Sequence, residues 1–245
     1  MTPIELEYQR FRFILRTRKL KTSHPDSWSE LSPIQLLAAV RFIDGTINDD
    51  EVIIVMLNLT KRLVRRLTPY QKFCIIDLMS FLQTHTPWYD FILPTIGEFR
   101  KPQARLKDET FGTFIFAETY FDKYLKSEDK EYLAKFIACY YRTGKFLEAD
   151  IRPNSESIVL EPLVKQEAIA INYTLIREWL IQEYPNVFQP AEDQTKAAQS
   201  TWLDVYDAIV GDDIVKQAEY ADLPISTVLR YLDKRVKHSK HEGKI

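Results

Sequence analysis

The chain shows a two-residue rhythm near its start and a helical one after it. In Arg10-Phe11-Arg12-Phe13-Ile14-Leu15-Arg16-Thr17-Arg18, one set of alternate positions holds Phe11, Phe13, Leu15 and Thr17. The other set holds Arg10, Arg12, Ile14, Arg16 and Arg18. An apolar face and a cationic face at a period of two predict a half-exposed strand. Its cationic face suits nucleic acid, an acidic partner, or a solvated edge that discourages pairing.

Helical signals follow. Ser32-Pro33 opens a segment through Ile34, Leu36, Leu37, Val40 and Ile43, with Pro33 suited to a first turn, and Gly45 ends it. Asn48-Asp49-Asp50-Glu51 places a cap and acidic residues ahead of Val52–Leu67, with Lys61, Arg62, Arg65 and Arg66 in its last turns. Acid at the start and base at the end complement the helix dipole. Thr68-Pro69 begins another helix, through Phe73, Ile76, Leu78 and Leu82. From His85 to Glu109 the pattern is broken by Pro87, Pro94, Gly97 and Pro102, which predicts a short hairpin or irregular packing. Helices resume from Thr110 to about Leu125, and again through Tyr132, Leu133, Phe136, Ile137 and Tyr140. Thr143 to Ser157, with Gly144 and Pro153, predicts a second irregular stretch. Pro162 starts a long helix through Ile169, Tyr173, Ile176 and Leu180, ending before Pro185.

Beyond Pro190, Ala191–Ser200 is polar with no large apolar residue, the composition of a linker or a solvated connecting helix. Three short helices are expected after it, over Trp202–Val210, Asp213–Ala221 and Pro224–Lys237. The predicted fold is mostly α: a helical core domain over residues 1–189 with a small β-strand or hairpin element, a linker over 190–200, and a C-terminal helical appendage over 201–245.

Composition narrows the function classes. Apolar residues make up 45% of the 245 and charged residues 28%, which fits a soluble globular chain rather than a disordered or collagen-like one. With 6 glycines, a glycine-rich phosphate loop is not expected. The balance of 33 Lys and Arg against 35 Asp and Glu gives a net charge of -2, so any grip on nucleic acid has to come from a local patch. Cys74 and Cys139 both lie in apolar runs and are expected to be buried thiols in a reducing compartment. Met1–Glu7 lacks a basic segment followed by an apolar one, and no run of about 20 apolar residues spans a bilayer. A cytosolic protein with no membrane partner is expected.

Candidate chemistry is sparse. The histidines are His24, His85, His238 and His241; the last two are three apart, but in a basic segment that suits a solvated tail better than a metal site. No zinc spacing, nucleophile elbow or P-loop occurs, and Gly144-Lys145 is followed by Phe146 where Ser or Thr would hold magnesium. Asp49/Asp50, Glu128/Asp129 and Asp212/Asp213 stand at predicted helix starts, where capping accounts for them. No catalytic residue, cofactor or metal is assigned, and a non-enzymatic protein is expected.

The run Val215-Lys216-Gln217-Ala218-Glu219-Tyr220-Ala221-Asp222-Leu223-Pro224-Ile225-Ser226-Thr227-Val228-Leu229-Arg230 resembles a helix-turn-helix of the lac-repressor type. That resemblance implies a recognition helix with Ser226, Thr227, Arg230 and Lys234 toward the major groove. Asp222 stands where the motif usually has Gly, and Ala218, Val228, Leu229 and Leu232 equally suit the core of a small helical hairpin.

A broader resemblance covers the whole chain. It rests on Trp28-Ser29-Glu30-Leu31-Ser32-Pro33-Ile34-Gln35, Thr110–Phe121, Ile137–Arg142, Trp179-Leu180 with Tyr184-Pro185, and Trp202–Val205 with Leu223-Pro224 through Leu232. Together these segments are similar to a group of phage and prophage proteins of Bacteroides-type bacteria, and the last also resembles the C-terminal helices of phage tail-assembly proteins. The resemblance implies a structural or assembly protein acting through protein–protein contacts in tail or head–tail morphogenesis. Its partners would be other virion proteins or further copies of itself, in the host cytoplasm or within a virion. Trp88, Tyr89 and Phe91 are candidate anchors for a partner, or plugs of the core beneath a long loop. Trp202 and Tyr231 mark a second candidate surface on the appendage. The alternative function is a DNA-binding regulator using the C-terminal helical pair.

Overall fold

Residues 1–9, 17–188, 202–211 and 214–242 are described in a computed structural model. Among them are eleven α-helices and two small antiparallel sheets of two strands each, so the fold is mostly α with a small hairpin element. The chain divides into two compact units, Met1–Trp88 and Tyr89–Ile245. The 190–200 linker of the sequence reading lies outside the described residues.

In the first unit, β1 (Thr2–Gln9) and β2 (Thr17–His24) pair in a register that sets Leu6 opposite Leu20, Glu5 opposite Lys21 and Glu7 opposite Lys19. Leu6 is buried, while Lys19 on the outer face reaches both Glu5 and Glu7. Such cross-strand acid–base pairs help to fix the register. The alternating segment expected as a strand falls largely on residues 10–16, outside the described set; Thr17 and Arg18 lie in β2.

Trp28, 1% exposed, ties this unit together: its indole N–H donates to the carbonyls of Phe81 (3.1 Å) and Thr84 (2.8 Å), more than fifty residues away. Three reciprocal capping boxes start the helices that follow. They are Ser32/Gln35 for α1 (Pro33–Ile43), Asn48/Glu51 for α2 (Asp49–Met56) and Thr68/Gln71 for α4 (Pro69–Asp77). Gln35 also donates to the Met56 carbonyl (2.9 Å), linking the start of α1 to the end of α2.

Two expectations are corrected here. The helix predicted to run from Val52 to Leu67 stops at Met56, because Asn58 adopts a left-handed φ of 50°, and the short α3 (Lys61–Val64) starts afresh after Thr60. Asn tolerates that conformation better than most residues. Lys61, Arg62, Arg65 and Arg66 therefore do not complement the end of a long helix. The apolar stripe of α4 is also shifted. Ile75, Met79 and Leu82 are buried, whereas Phe73 is 68% exposed and Leu78 points largely to solvent. The helix ends at Asp77 and a 3₁₀ turn over Ser80–Gln83 follows, so a 3.6-residue period does not extend to Leu82.

In the second unit, β3 (Thr95–Ile96) and β4 (Phe99–Arg100) form a short hairpin, one of the two forms expected between His85 and Glu109, with Gly97 at φ 56° in its turn. Then come α5 (Phe111–Ser127), α6 (Lys130–Tyr140), α7 (Glu148–Ile158) and α8 (Leu163–Glu183). After the undescribed segment lie α9 (Trp202–Val210), α10 (Ile214–Ala221) and α11 (Ile225–Glu242). The stretch Thr143–Ser157, expected to be irregular, contains most of α7 with Pro153 inside it. Ile151, Ser155 and Ile158 at helical spacing are buried against α6, and Pro153 faces solvent. That packing outweighs the cost of an interior proline, roughly 3 kcal/mol.

Helix α5 is the hub: α6 packs on one side, and α9, α10 and α11 all pack against it. Gly112 allows the closest approach. A β-carbon there would lie 3.2 Å from the Ala221 carbonyl oxygen and 3.3 Å from its β-carbon. Gly112→Val is expected to push α10 off α5 and destabilise the second unit by about 1–3 kcal/mol. Chemical denaturation checks this, and an unchanged midpoint would show that the approach is not tight.

Candidate functional site

The candidate residues separate by burial. Phe91 is 1% exposed and packs among Tyr140, Tyr141 and Tyr173, with ring centroids 5.4–6.2 Å apart. It is a core residue, and its place among the exposed partner anchors is corrected. Trp88 and Tyr89 are half-buried. The Tyr89 ring meets Trp179 edge-on at 6.4 Å and carries the Arg105 guanidinium 5.0 Å from its centroid.

Trp202 is half-buried too. Its ring is 4.7 Å from Phe114 and 5.4 Å from Phe188, so it anchors α9 to α5 from within. Tyr231 differs, being 55% exposed in the middle of α11.

α11 is two-faced. Ile225, Val228, Leu229 and Leu232 are buried, whereas Ser226, Thr227, Arg230, Tyr231, Lys234, Arg235 and Lys237 face solvent. Ser226, Arg230 and Lys234 line a shallow groove with Glu183, Tyr184 and Asp233. Asp233 is engaged, accepting from the Asn186 backbone N–H (2.8 Å) and side-chain amide (3.2 Å). Burial raises the Tyr184 hydroxyl above its ordinary range, with Arg230 opposing. The side chains of Arg230, Lys234, Arg235 and Lys237 make no hydrogen bond or ion pair among the described residues, leaving a cationic face around one aromatic ring.

The start of α11 is closed by backbone. The Phe111 N–H donates to the Leu223 carbonyl (2.8 Å) and the Ile225 N–H to the Glu109 carbonyl (3.1 Å), giving a β-bridge between Thr110 and Pro224. The turn between α10 and α11 is made without a left-handed Asp222, so the glycine of the helix-turn-helix pattern is not required here.

Two buried carboxylates lie beneath this surface. Glu118 of α5, 1% exposed, accepts the Tyr173 hydroxyl at 2.6 Å; that hydroxyl is 3.1 Å from Tyr140, and Arg177 lies 3.2 Å from the other carboxylate oxygen. Burial raises the Glu118 acid above its usual range, and Arg177 opposes. The cluster cross-links α5, α6 and α8. Glu109, also 1% exposed, pairs with Arg142, yet burial outweighs that partner and lifts its pKa to about 7. Neither carboxylate was singled out from the sequence. The signal for Glu118 is visible afterwards: Phe111, Phe114, Glu118 and Phe121 follow helical spacing, which puts an acid on an otherwise aromatic stripe.

Among the described residues, no group of three His, Cys, Asp or Glu side chains could hold a metal ion, and no helix is long and apolar enough to cross a membrane. The chain matches no protein-family model, no curated protein and no solved structure.

Two outcomes are expected from the buried acids. Because the folded-state pKa of Glu109 lies above its unfolded value, the folded state binds the extra proton. The stabilisation is complete below about pH 4.5 and is lost as pH rises through about 7. Unfolding free energy is expected to fall by on the order of 2 kcal/mol between about pH 5 and pH 8, and Glu109→Gln to flatten that slope. Tyr173→Phe, which leaves Glu118 short of a buried donor, is expected to cost about 1–3 kcal/mol in denaturant unfolding, with unchanged denaturant sensitivity.

Proposed function

We propose that this chain is a phage-type structural or assembly protein that acts through protein–protein contacts in tail or head–tail morphogenesis, with the outward side of α11 as a contact surface. The observation that carries this reading is the closure of the start of α11 by the Glu109–Phe111 backbone. A recognition helix reads bases by sending its N-terminal residues into the major groove. Here the Ile225 N–H at that end is taken by the Glu109 carbonyl, which ties the helix start to the protein's own chain while the flank stays open. On the flank, Tyr231 stands among Thr227, Arg230, Lys234 and Arg235, an aromatic anchor inside a charged rim. That combination suits an acidic patch on a partner. The segments similar to phage and prophage proteins support the same reading, and the partners are other virion proteins or further copies of this chain, met in the host cytoplasm or in the particle.

The alternative, a DNA-binding regulator using Ser226, Thr227, Arg230 and Lys234, draws its support from the unpaired cations on the same flank.

The test is affinity capture of the full chain from a phage-producing culture, with wild type and Tyr231→Ala side by side. Particle proteins retained by the wild type and reduced at least tenfold by the substitution are expected. Equal retention by both, or retention of duplex DNA that Ser226→Ala and Arg230→Ala abolish, would overturn the proposal in favour of the alternative or of another surface.

A further inference from the structure

Near-neutral net charge conceals a division between the two units. Residues 1–88 contain 12 Lys and Arg against 9 Asp and Glu, a net of +3, whereas residues 89–245 contain 21 against 26, a net of -5. Charge asymmetry between halves is a sign of polyanion binding by the basic one. Within that unit the cations are not equivalent. Lys19 of the hairpin is neutralised by Glu5 and Glu7, and Lys72 pairs with Asp50 at 2.6 Å. Lys61, Arg62, Arg65 and Arg66 stand within six residues, and none of their side chains makes a hydrogen bond, ion pair or ring contact among the described residues.

Two exposed aromatic rings follow directly. Tyr70 is 75% exposed and Phe73 is 68% exposed, three residues apart on α4 and so on one helix face. The step from Arg66 to Tyr70 is four residues, a reach of at most about 14 Å, so the rings lie within a few nucleotides' span of the last cations. Both helices that carry them pack on α2, which gives the face a fixed base. In the groove between α2 and α3, Glu51 caps Asn48 and Asp50 is held by Lys72, which leaves Asp49 as the acid there without an ion pair among the described residues.

We propose that the α3–α4 face of the first unit binds single-stranded nucleic acid, with Lys61, Arg62, Arg65 and Arg66 on phosphates and Tyr70 and Phe73 stacking on bases. Unpaired cations alone would suit any polyanion. The adjacent rings single out a ligand with planar faces, since base–aromatic stacking needs no particular sequence and a polycarboxylate has no ring to stack. Duplex DNA is disfavoured because its bases are already stacked on one another.

The test is fluorescence anisotropy of the full chain with a labelled oligothymidylate of about 16 nucleotides, beside a duplex of equal length. Binding of the single strand is expected at low salt, with a log–log salt slope near -3 for four phosphate contacts. Tyr70→Ala with Phe73→Ala should weaken it roughly tenfold or more and leave the salt slope in place. Arg62→Glu with Arg65→Glu should abolish it, whereas Arg230→Ala with Lys234→Ala should leave it unchanged. All six positions are half-buried or exposed side chains, and circular dichroism confirms that each variant is folded. The proposal is overturned by absence of binding at low salt, by insensitivity to loss of the two rings, by tighter binding of the duplex, or by polyglutamate displacing the strand as well as unlabelled oligothymidylate does.

Discussion

Glu118 is a carboxyl group placed where water does not reach, and the second unit is arranged around holding it. Its carboxyl accepts the Tyr173 hydroxyl of α8 and is approached by Arg177 one turn further on. Tyr140 of α6 completes the set through Tyr173. A buried, partly paired carboxylate contributes little net stability, but leaving it without partners is expensive. The constraint thus acts through geometry. α5, α6 and α8 must be in register for the carboxyl to keep its partners, and alternative packings of so many similar aromatic side chains are penalised.

The same helix supplies the second constraint. At the start of α5, Glu109 and Phe111 exchange backbone hydrogen bonds with the turn that starts α11, and Gly112 admits Ala221 at van der Waals distance. The C-terminal helices are therefore part of the compact unit that begins at Tyr89, with one face of α11 committed to α5 and the other presented outward. The first unit follows a separate plan, in which capping boxes set helix starts and Trp28 closes the packing through the carbonyls of Phe81 and Thr84.

What could be read from the sequence was local. Ser32 with Gln35, Asn48 with Glu51 and Thr68 with Gln71 each complete their hydrogen bonds within four residues, so the starts of α1, α2 and α4 were legible. The long α8 was equally plain, and the hairpin before Glu109 was one of two forms expected there, the other being irregular packing. Features that depend on distant partners were not. Pro153 looked like a helix breaker because the burial of Ile151 and Ile158 against α6 is invisible in the local sequence. The left-handed Asn58 divided a continuous apolar pattern, and Phe73 was assigned to a core stripe that runs through Ile75. Site residues fared similarly. Tyr231, Arg230 and Lys234 are exposed as their positions suggested, Phe91 is interior, and Glu109 and Glu118 became visible once α5 had neighbours.

The pairing of residues 109–111 with residues 223–225 has a bearing on synthesis. Contacts separated by more than a hundred positions form late as a chain emerges from the ribosome, whereas those of Met1–Trp88 close within a much shorter span. Until Leu223–Leu232 has been made, the aromatic side of α5 that later receives α9, α10 and α11 has no cover. A nascent chain at that stage offers Phe111 and Phe114 to whatever apolar surface is near, a chaperone or another unfinished copy. Its vulnerability is thus greatest during the interval between translation of α5 and translation of the turn that closes it.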